Sequence, residues 1–166
     1  MTLKPWAVFL TLSMPKPKTG VFLDMALYQA AEQQKKKAYG LETLQEQMQI
    51  FETMALADQV AMLSDAVTHH KEIEHAMEEM IRVYLSRDLA QLQAVSDKYM
   101  GLDDPALAQR LMTKLIDERN RRMVERMGAR LKEGGAFVAV GALHLPGERG
   151  ILHLLQQRGY RVSAVY

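Results

Sequence analysis

Residues 136–166, AFVAVGALHLPGERGILHLLQQRGYRVSAVY, form the most regular stretch of the chain and decide the predicted fold. The continuous apolar run at 136–140 predicts a buried strand, and the glycine- and proline-containing segment 141–147 predicts a turn. Residues 148–158 have the pattern of a helix, and a second strand is expected at 160–166 after a glycine. A strand–helix–strand unit of this length predicts parallel pairing with a right-handed crossover.

The N-terminal part of the chain alternates predicted strands with a predicted helix. The apolar residues 6–12 predict a buried strand that ends before the Pro15-Lys16-Pro17 loop. A helix is expected from about Val21 to Gln34, and a short strand follows at about 37–41. These strands would join the C-terminal unit in one sheet.

A long, mostly helical region follows, from Thr43 to about residue 132. Thr43 and Glu46 have the T-x-x-E spacing of a capping box, which predicts a helix start. Gly101 interrupts the pattern, and Asp104-Pro105 supplies an N-cap and a first-turn proline for the last helix of the region. We therefore expect an α/β fold with a small mixed or parallel sheet, a long helical insertion and a C-terminal βαβ unit.

Length and composition favour one globular domain over residues 1–166. Apolar residues make up 48% and charged residues 25% of the 166 residues, which argues against disorder. The 21 basic and 20 acidic residues leave no net field that would attract nucleic acid. The chain has no cysteine, which excludes disulfide scaffolds, thiolate metal sites and cysteine nucleophiles.

Targeting signals are weak, so the compartment stays unassigned. The apolar run at 6–12 is too short to span a bilayer, and no small-x-small cleavage site follows it. The sequence also lacks the glycine-rich nucleotide-binding patterns and the G-x-S-x-G of serine hydrolases.

His144 is the sharpest candidate for chemistry, because it lies in a G-x-x-H turn directly after a predicted strand. Ligands of α/β proteins sit at the carboxyl ends of strands, and an imidazole there can bind a metal or transfer a proton. The alternative is a structural histidine that hydrogen-bonds a loop carbonyl.

Glu42, Arg119 and Asn120 are the other candidates. Glu42 ends the predicted strand at 37–41, where it could bind a metal, act as a base, or stabilise the start of the next helix. Arg119 and Asn120 interrupt the apolar stripe of a late helix. A buried guanidinium needs an anion, and Glu42, Asp24 or a substrate carboxylate could serve; a structural salt bridge is the alternative.

The histidine-rich segment at 68–75 attracts a metal interpretation that its spacing does not support. His69, His70 and His75 do not form H-E-x-x-H, and His75 falls on the polar side of the helical stripe. We interpret the segment as an ordinary charged helix face.

Several of these residues stand in strings that resemble the TraB/GumN family, also called TraB/PrgY or Tiki-like, within the erythromycin-esterase/ChaN-like superfamily. The strings occur in family order along essentially the whole chain: Pro5-Trp6, Gly20-Val21 leading to Asp24, Gly40-Leu41-Glu42-Thr43, Arg119-Asn120, and Gly141-Ala142-Leu143-His144-Leu145 before Gly147.

The resemblance implies a metal-dependent peptidase supported by Mn²⁺ or Co²⁺, with Zn²⁺ as a further option. It places His144 and Glu42 at the metal, Glu42, His144 and Arg119 in catalysis, and Asn120 and Asp24 among substrate-binding positions. The substrate would be a peptide or a small molecule, and many family members are extracytoplasmic.

The chain departs from the family pattern because its sequence holds one G-x-x-H and the family has two. A chain with about the C-terminal two-thirds of such a domain would expose a sheet edge, so we expect a homodimer. A site of Glu42 and His144 alone would be undercoordinated, since Mn²⁺ takes about six ligands and Zn²⁺ about four. A non-catalytic, self-associating binding module and a ChaN-like haem- or iron-binding protein therefore remain as alternatives.

Overall fold

In a computed structural model, the chain is described over residues 3–13, 20, 22–99 and 102–165. These residues form nine α-helices, one π-helical turn at Thr113–Asp117 and one 3₁₀ turn at Ala142–His144. The helices are α1 Pro5–Ser13, α2 Leu23–Gln33, α3 Leu44–Glu52, α4 Leu56–Thr68, α5 His70–Leu85, α6 Leu89–Tyr99, α7 Pro105–Met112, α8 Glu118–Glu133 and α9 Ile151–Gln157.

The α/β prediction is wrong, because the described residues contain no β-strand. Residues 6–12 lie in α1, where Trp6, Phe9 and Leu10 pack against the interior and the Trp6 ring stacks on that of Phe51 with centroids 5.7 Å apart. Positions 6, 9 and 10 share one helical face, and Pro5 is tolerated at a first helical position. A short apolar run is compatible with a helix or a strand, and the packing of these side chains favours the helix.

The other predicted strands are also wrong, for a different reason. Residues 37–41, 136–140 and 160–165 take no helical form, yet no ladder of backbone hydrogen bonds joins them to one another or to any other described segment. A strand requires a paired neighbour, so the βαβ unit and the sheet edge expected to hold a dimer are not formed. The Pro15–Pro17 loop, Val21, Gly101 and the last strand residue, Tyr166, lie outside the described residues.

Two helix starts are confirmed by their caps. Thr43 accepts the Glu46 amide through its hydroxyl, and the Glu46 carboxylate accepts the Thr43 amide at 2.8 Å, which completes the capping box of α3. Asp104 caps α7, with Pro105 at its first position. Within the described ranges, no helix is long and apolar enough to cross a membrane.

Two apolar clusters hold the helices, and the second one positions the candidate site. The first gathers Ile50, Phe51, Met62, Leu107 and Leu111 between α3, α4 and α7. The second gathers Met123, Val124, Met127 and Ile151 between α8 and α9, with Leu41 and Val140 packed against it. Leu41 directly precedes Glu42, and Val140 precedes the G-x-x-H turn. Burial of these two residues therefore brings both segments to α8.

Candidate functional site

Glu42 is bound by the guanidinium group of Arg119, which lies in the first turn of α8. Arg119 Nε donates to both carboxylate oxygens, at 3.1 and 3.0 Å, and Nη2 donates to Oε2 at 2.8 Å. Arg122 Nη2 adds a longer contact to Oε1 at 3.4 Å. The Glu42 side chain is 3% exposed and that of Arg119 is 17% exposed, so this is a nearly buried ion pair.

The two arginines determine the charge state of Glu42. Burial alone would raise the pKa of its carboxyl, but hydrogen bonding and the charge of Arg119, together with Arg122, lower that pKa below its ordinary value. Glu42 is therefore ionised at neutral pH. A carboxylate offers about four lone-pair directions, and these four contacts engage them.

A short irregularity in the helix sets the direction of Arg119. The π-helical turn Thr113–Asp117 separates α7 from α8, where the sequence predicted one continuous helix. Arg119 Nη1 donates to the Leu115 carbonyl of that turn at 3.0 Å. Such turns shift the register of the side chains that follow and are frequent at functional sites.

Arg122 and Arg126, which the sequence interpretation missed, extend the same face of α8. Arg126 donates to the Leu41 carbonyl at 2.7 Å and forms a two-point ion pair with Glu46. The spacing of 119, 122 and 126 places three guanidinium groups on one side of the helix. That spacing is the sequence feature from which Arg122 and Arg126 could have been predicted. The three arginines together hold residues 41–46 against α8.

His144 lies in the buried 3₁₀ turn and is fixed by Asn120. The histidine is 7% exposed, and its Nδ1 lies 2.7 Å from Asn120 Oδ1. The Asn120 amide nitrogen donates to the Arg149 carbonyl at 2.8 Å, which leaves its oxygen as the acceptor. Nδ1 of His144 must then carry the proton, and Nε2 keeps a lone pair that no other described residue engages.

The surroundings of His144 keep its ring neutral. Burial and the positive charge of Arg119 lower the pKa of the imidazole from 6.5 to about 4, against a smaller opposing effect of Glu42. At neutral pH the ring is an uncharged base. A neutral imidazole whose other nitrogen is held by an amide has the form that metal-binding histidines take.

Four of the five sequence-predicted site residues therefore come together beside the first turns of α8, where they form two neighbouring pairs. Glu42 pairs with Arg119, His144 pairs with Asn120, and the charges of Glu42 and Arg119 both act on His144. Asp24 does not join them. It is exposed on α2, and its side chain makes no hydrogen bond or ion pair with any other described residue.

An open depression of about 660 Å³ adjoins the ion pair at the start of α3. It is lined by polar side chains, among them Glu42, Glu46 and Arg126. His144 is not in its wall. The depression gives a ligand access to Glu42 and, on α8, to Arg126.

Comparison with known proteins identifies the family of the chain. The sequence profile of the TraB/PrgY/gumN family matches residues 1–164. The chain belongs to this family. No solved structure matches it.

Relatives of this TraB/PrgY/gumN-family chain include proteins named metalloproteases. Metalloprotease TIKI2 of Xenopus tropicalis is 28% identical over 164 residues, which cover 85% of this chain and 31% of the relative. Metalloprotease TIKI1 of Danio rerio is 26% identical over 163 residues, covering 85% and 33%. The human TIKI1 is 26% identical over 164 residues, covering 85% and 32%. The chain thus spans about a third of the length of these relatives.

The metal expected of a TraB/PrgY/gumN protein fits this pair of residues incompletely. His144 offers one free nitrogen, but the carboxylate oxygens of Glu42 are taken by Arg119 and Arg122. Glu42 would have to leave the arginines to bind an ion. Among the described residues, the arrangement around His144 therefore supplies one ready ligand, and a divalent ion needs several more.

Proposed function

We propose that this TraB/PrgY/gumN-family protein is a metal-dependent hydrolase that cleaves peptides, with His144 as a ligand for the ion. The relatives named metalloproteases support the reaction class, and the preset tautomer of His144 is the observation that carries the proposal. A bound Mn²⁺, Co²⁺ or Zn²⁺ would supply Lewis-acid polarisation of the scissile carbonyl. The other ligands would come from outside the Glu42–His144 arrangement.

The chain's own residues would act by positioning. Asn120 would hold the His144 ring so that Nε2 stays unprotonated and in one orientation, as outer hydrogen-bond partners of metal ligands do. Glu42 would fix Arg119, whose charge acts on the histidine, and would hold Arg122 on the same face of α8. A role for Glu42 as ligand or base would require release from Arg119.

Arg122 is the better candidate of the two arginines for contact with a substrate. Arg119 is committed to Glu42 and to the Leu115 carbonyl. Arg122 makes one long contact, its side chain is 35% exposed, and its Nε–H is buried without a partner among the described residues. It has donors left for a peptide carboxylate or carbonyl.

The proposal is tested by incubating the chain with unstructured peptides and saturating Mn²⁺ or Co²⁺, and identifying products by mass spectrometry. We expect ion-dependent cleavage that His144→Ala reduces at least about 100-fold, the scale of an essential catalytic contact. His153→Ala is the matched control and should cleave as the wild type does. Absence of ion-dependent cleavage, or full activity in His144→Ala, would overturn the proposal.

A second candidate is a non-catalytic module that associates with its own copies. Its support is apolar surface on segments without secondary structure: Phe137 is 81% and Val165 is 93% exposed. Exposed apolar side chains on unpaired backbone favour association. The haem-binding alternative has no comparable support among the described residues, and a shift of the haem Soret band on addition of protein stays its test.

Self-association is measured by light scattering at micromolar concentration. We expect a dimer, and we expect Phe137→Ser to weaken it. Leu85→Ser removes a side chain of similar exposure, 70%, from α5 and should leave the dimer unchanged. A monomeric wild type would contradict this second candidate.

A further inference from the structure

A second group of metal-ligating side chains lies outside the Glu42–His144 site. Asp65 comes from the last turn of α4, His69 joins α4 to α5, and Asp103 precedes α7. One ligand atom from each lies within 4.8 Å of the others. Asp65 and His69 are partly exposed and Asp103 is exposed, so the group is open to ions from solvent.

Apolar packing fixes the two acidic residues relative to each other. Met62, Leu107 and Leu111 are buried in the same cluster and join α4 to α7. Asp65 lies one turn after Met62. The Asp103 amide donates to Asp65 Oδ1 at 3.1 Å, which links two residues 38 positions apart. The packing of α4 against α7 and this hydrogen bond thus hold the Asp65 carboxylate next to the backbone of Asp103.

The spacing of the Asp65 and His69 ligand atoms is close to that of two ligands on one transition-metal ion. His69 Nδ1 lies 3.6 Å from Asp65 Oδ1. Ligands at zinc bond lengths of ~2.0–2.2 Å in a tetrahedron are about 3.4 Å apart. Asp65 and His69 are four positions apart around the end of α4, and Asp103 would close the remaining gap by moving its exposed side chain.

The local charge favours a cation. Two carboxylates share this space near the C-terminal end of α4, where the helix dipole is negative. His69 Nδ1 also lies 3.1 Å from the Asp65 carbonyl, so the same ring nitrogen faces both the carbonyl oxygen and Oδ1 of Asp65. An ion bound at Nδ1 would replace the contact of this nitrogen with the Asp65 carbonyl.

We propose that Asp65, His69 and Asp103 bind a divalent transition-metal ion, with Zn²⁺ or Co²⁺ preferred over Mg²⁺ and Ca²⁺. One imidazole nitrogen beside two carboxylates is a donor set that suits these ions, while Mg²⁺ and Ca²⁺ take oxygen ligands. Water would complete the coordination. The ion would join the α4–α5 connection to the start of α7 and stabilise the fold.

The test titrates Zn²⁺ into the His144→Ala chain by calorimetry, so that binding at the proposed hydrolytic site does not contribute. We expect one saturable site and a rise in melting temperature with Zn²⁺. His69→Ala should weaken binding at least about tenfold and remove the temperature rise. His70→Ala, which changes the neighbouring histidine, should bind as the parent does.

Asp103→Asn provides a second variant, since it keeps the backbone amide that donates to Asp65 and changes an exposed side chain. It should also weaken Zn²⁺ binding while the unliganded chain melts as before. No saturable binding, equal binding by His69→Ala and the parent, or equal loss in His70→Ala would overturn the proposal.

Discussion

Replacing Glu42 with alanine should lower the free energy of unfolding by about 3–5 kcal/mol, the cost of removing one partner from a buried ion pair. The Glu42 carboxylate is 3% exposed, and Arg119 is 17% exposed. Without Glu42, the Arg119 guanidinium stays largely buried with the Leu115 carbonyl as its described partner. Arg122 also loses its carboxylate contact.

Urea unfolding followed by circular dichroism measures this loss, with two controls. Glu133→Ala removes an exposed partner of Arg130 and should cost less than about 1 kcal/mol. The double variant Glu42→Leu with Arg119→Met replaces both charges by apolar groups and should recover much of the loss. A loss below 1 kcal/mol in Glu42→Ala would show that the pair does not hold residues 41–46 to α8.

The sequence allowed Arg119 and Asn120 to be chosen from a local anomaly. Glu42 and His144 were chosen at the ends of predicted strands that the described residues do not form, and Asp24 was placed by the family resemblance. Arg119 and Asn120 are polar on an apolar stripe, and His144 follows a glycine in a turn. The notion that Arg119 needs an anion led to Glu42 as one of three options, and the structure pairs the two. The helix caps at Thr43 and Asp104 could also be predicted from local sequence, because the partners of each capping side chain lie within three residues of it.

The parts that could not be predicted depend on distant neighbours. Residues 6–12 suit a helix or a strand equally, and their packing against Phe51 decides between the two. The apolar run at 136–140 has strand composition but no partner strand in the part of the chain that the structure describes. The Asp65–Asp103 contact joins residues far apart in sequence, so its spacing carried no signal.

Above pH 5, the largest effect of pH on stability should come from His144. Its pKa is about 4 in the folded chain and ordinarily 6.5, so the unfolded chain binds the proton more readily. The contribution of the neutral ring is fully present above pH 6.5 and is lost as the pH falls toward 4. With some allowance for solvent screening, we expect a loss of about 2–3 kcal/mol. The pKa of Glu42 is lowered, so its contribution to stability is lost only below its ordinary pKa of 4.5. The change in stability between pH 5 and 6.5 therefore reports on His144.

Asn120→Asp provides the matched variant for this effect, because it replaces the amide by a carboxylate of the same shape 2.7 Å from His144 Nδ1. The carboxylate should raise the pKa of His144 and flatten the fall in stability between pH 6.5 and 5, even though the lost bond to the Arg149 carbonyl lowers stability at every pH. Denaturation curves across this range measure the slope, and NMR titration of the ring measures the pKa. His153→Gln should keep the wild-type slope. A wild-type His144 with a measured pKa near 6.5 would contradict the buried ring held by the Asn120 amide, because 6.5 is the ordinary pKa of a solvated imidazole.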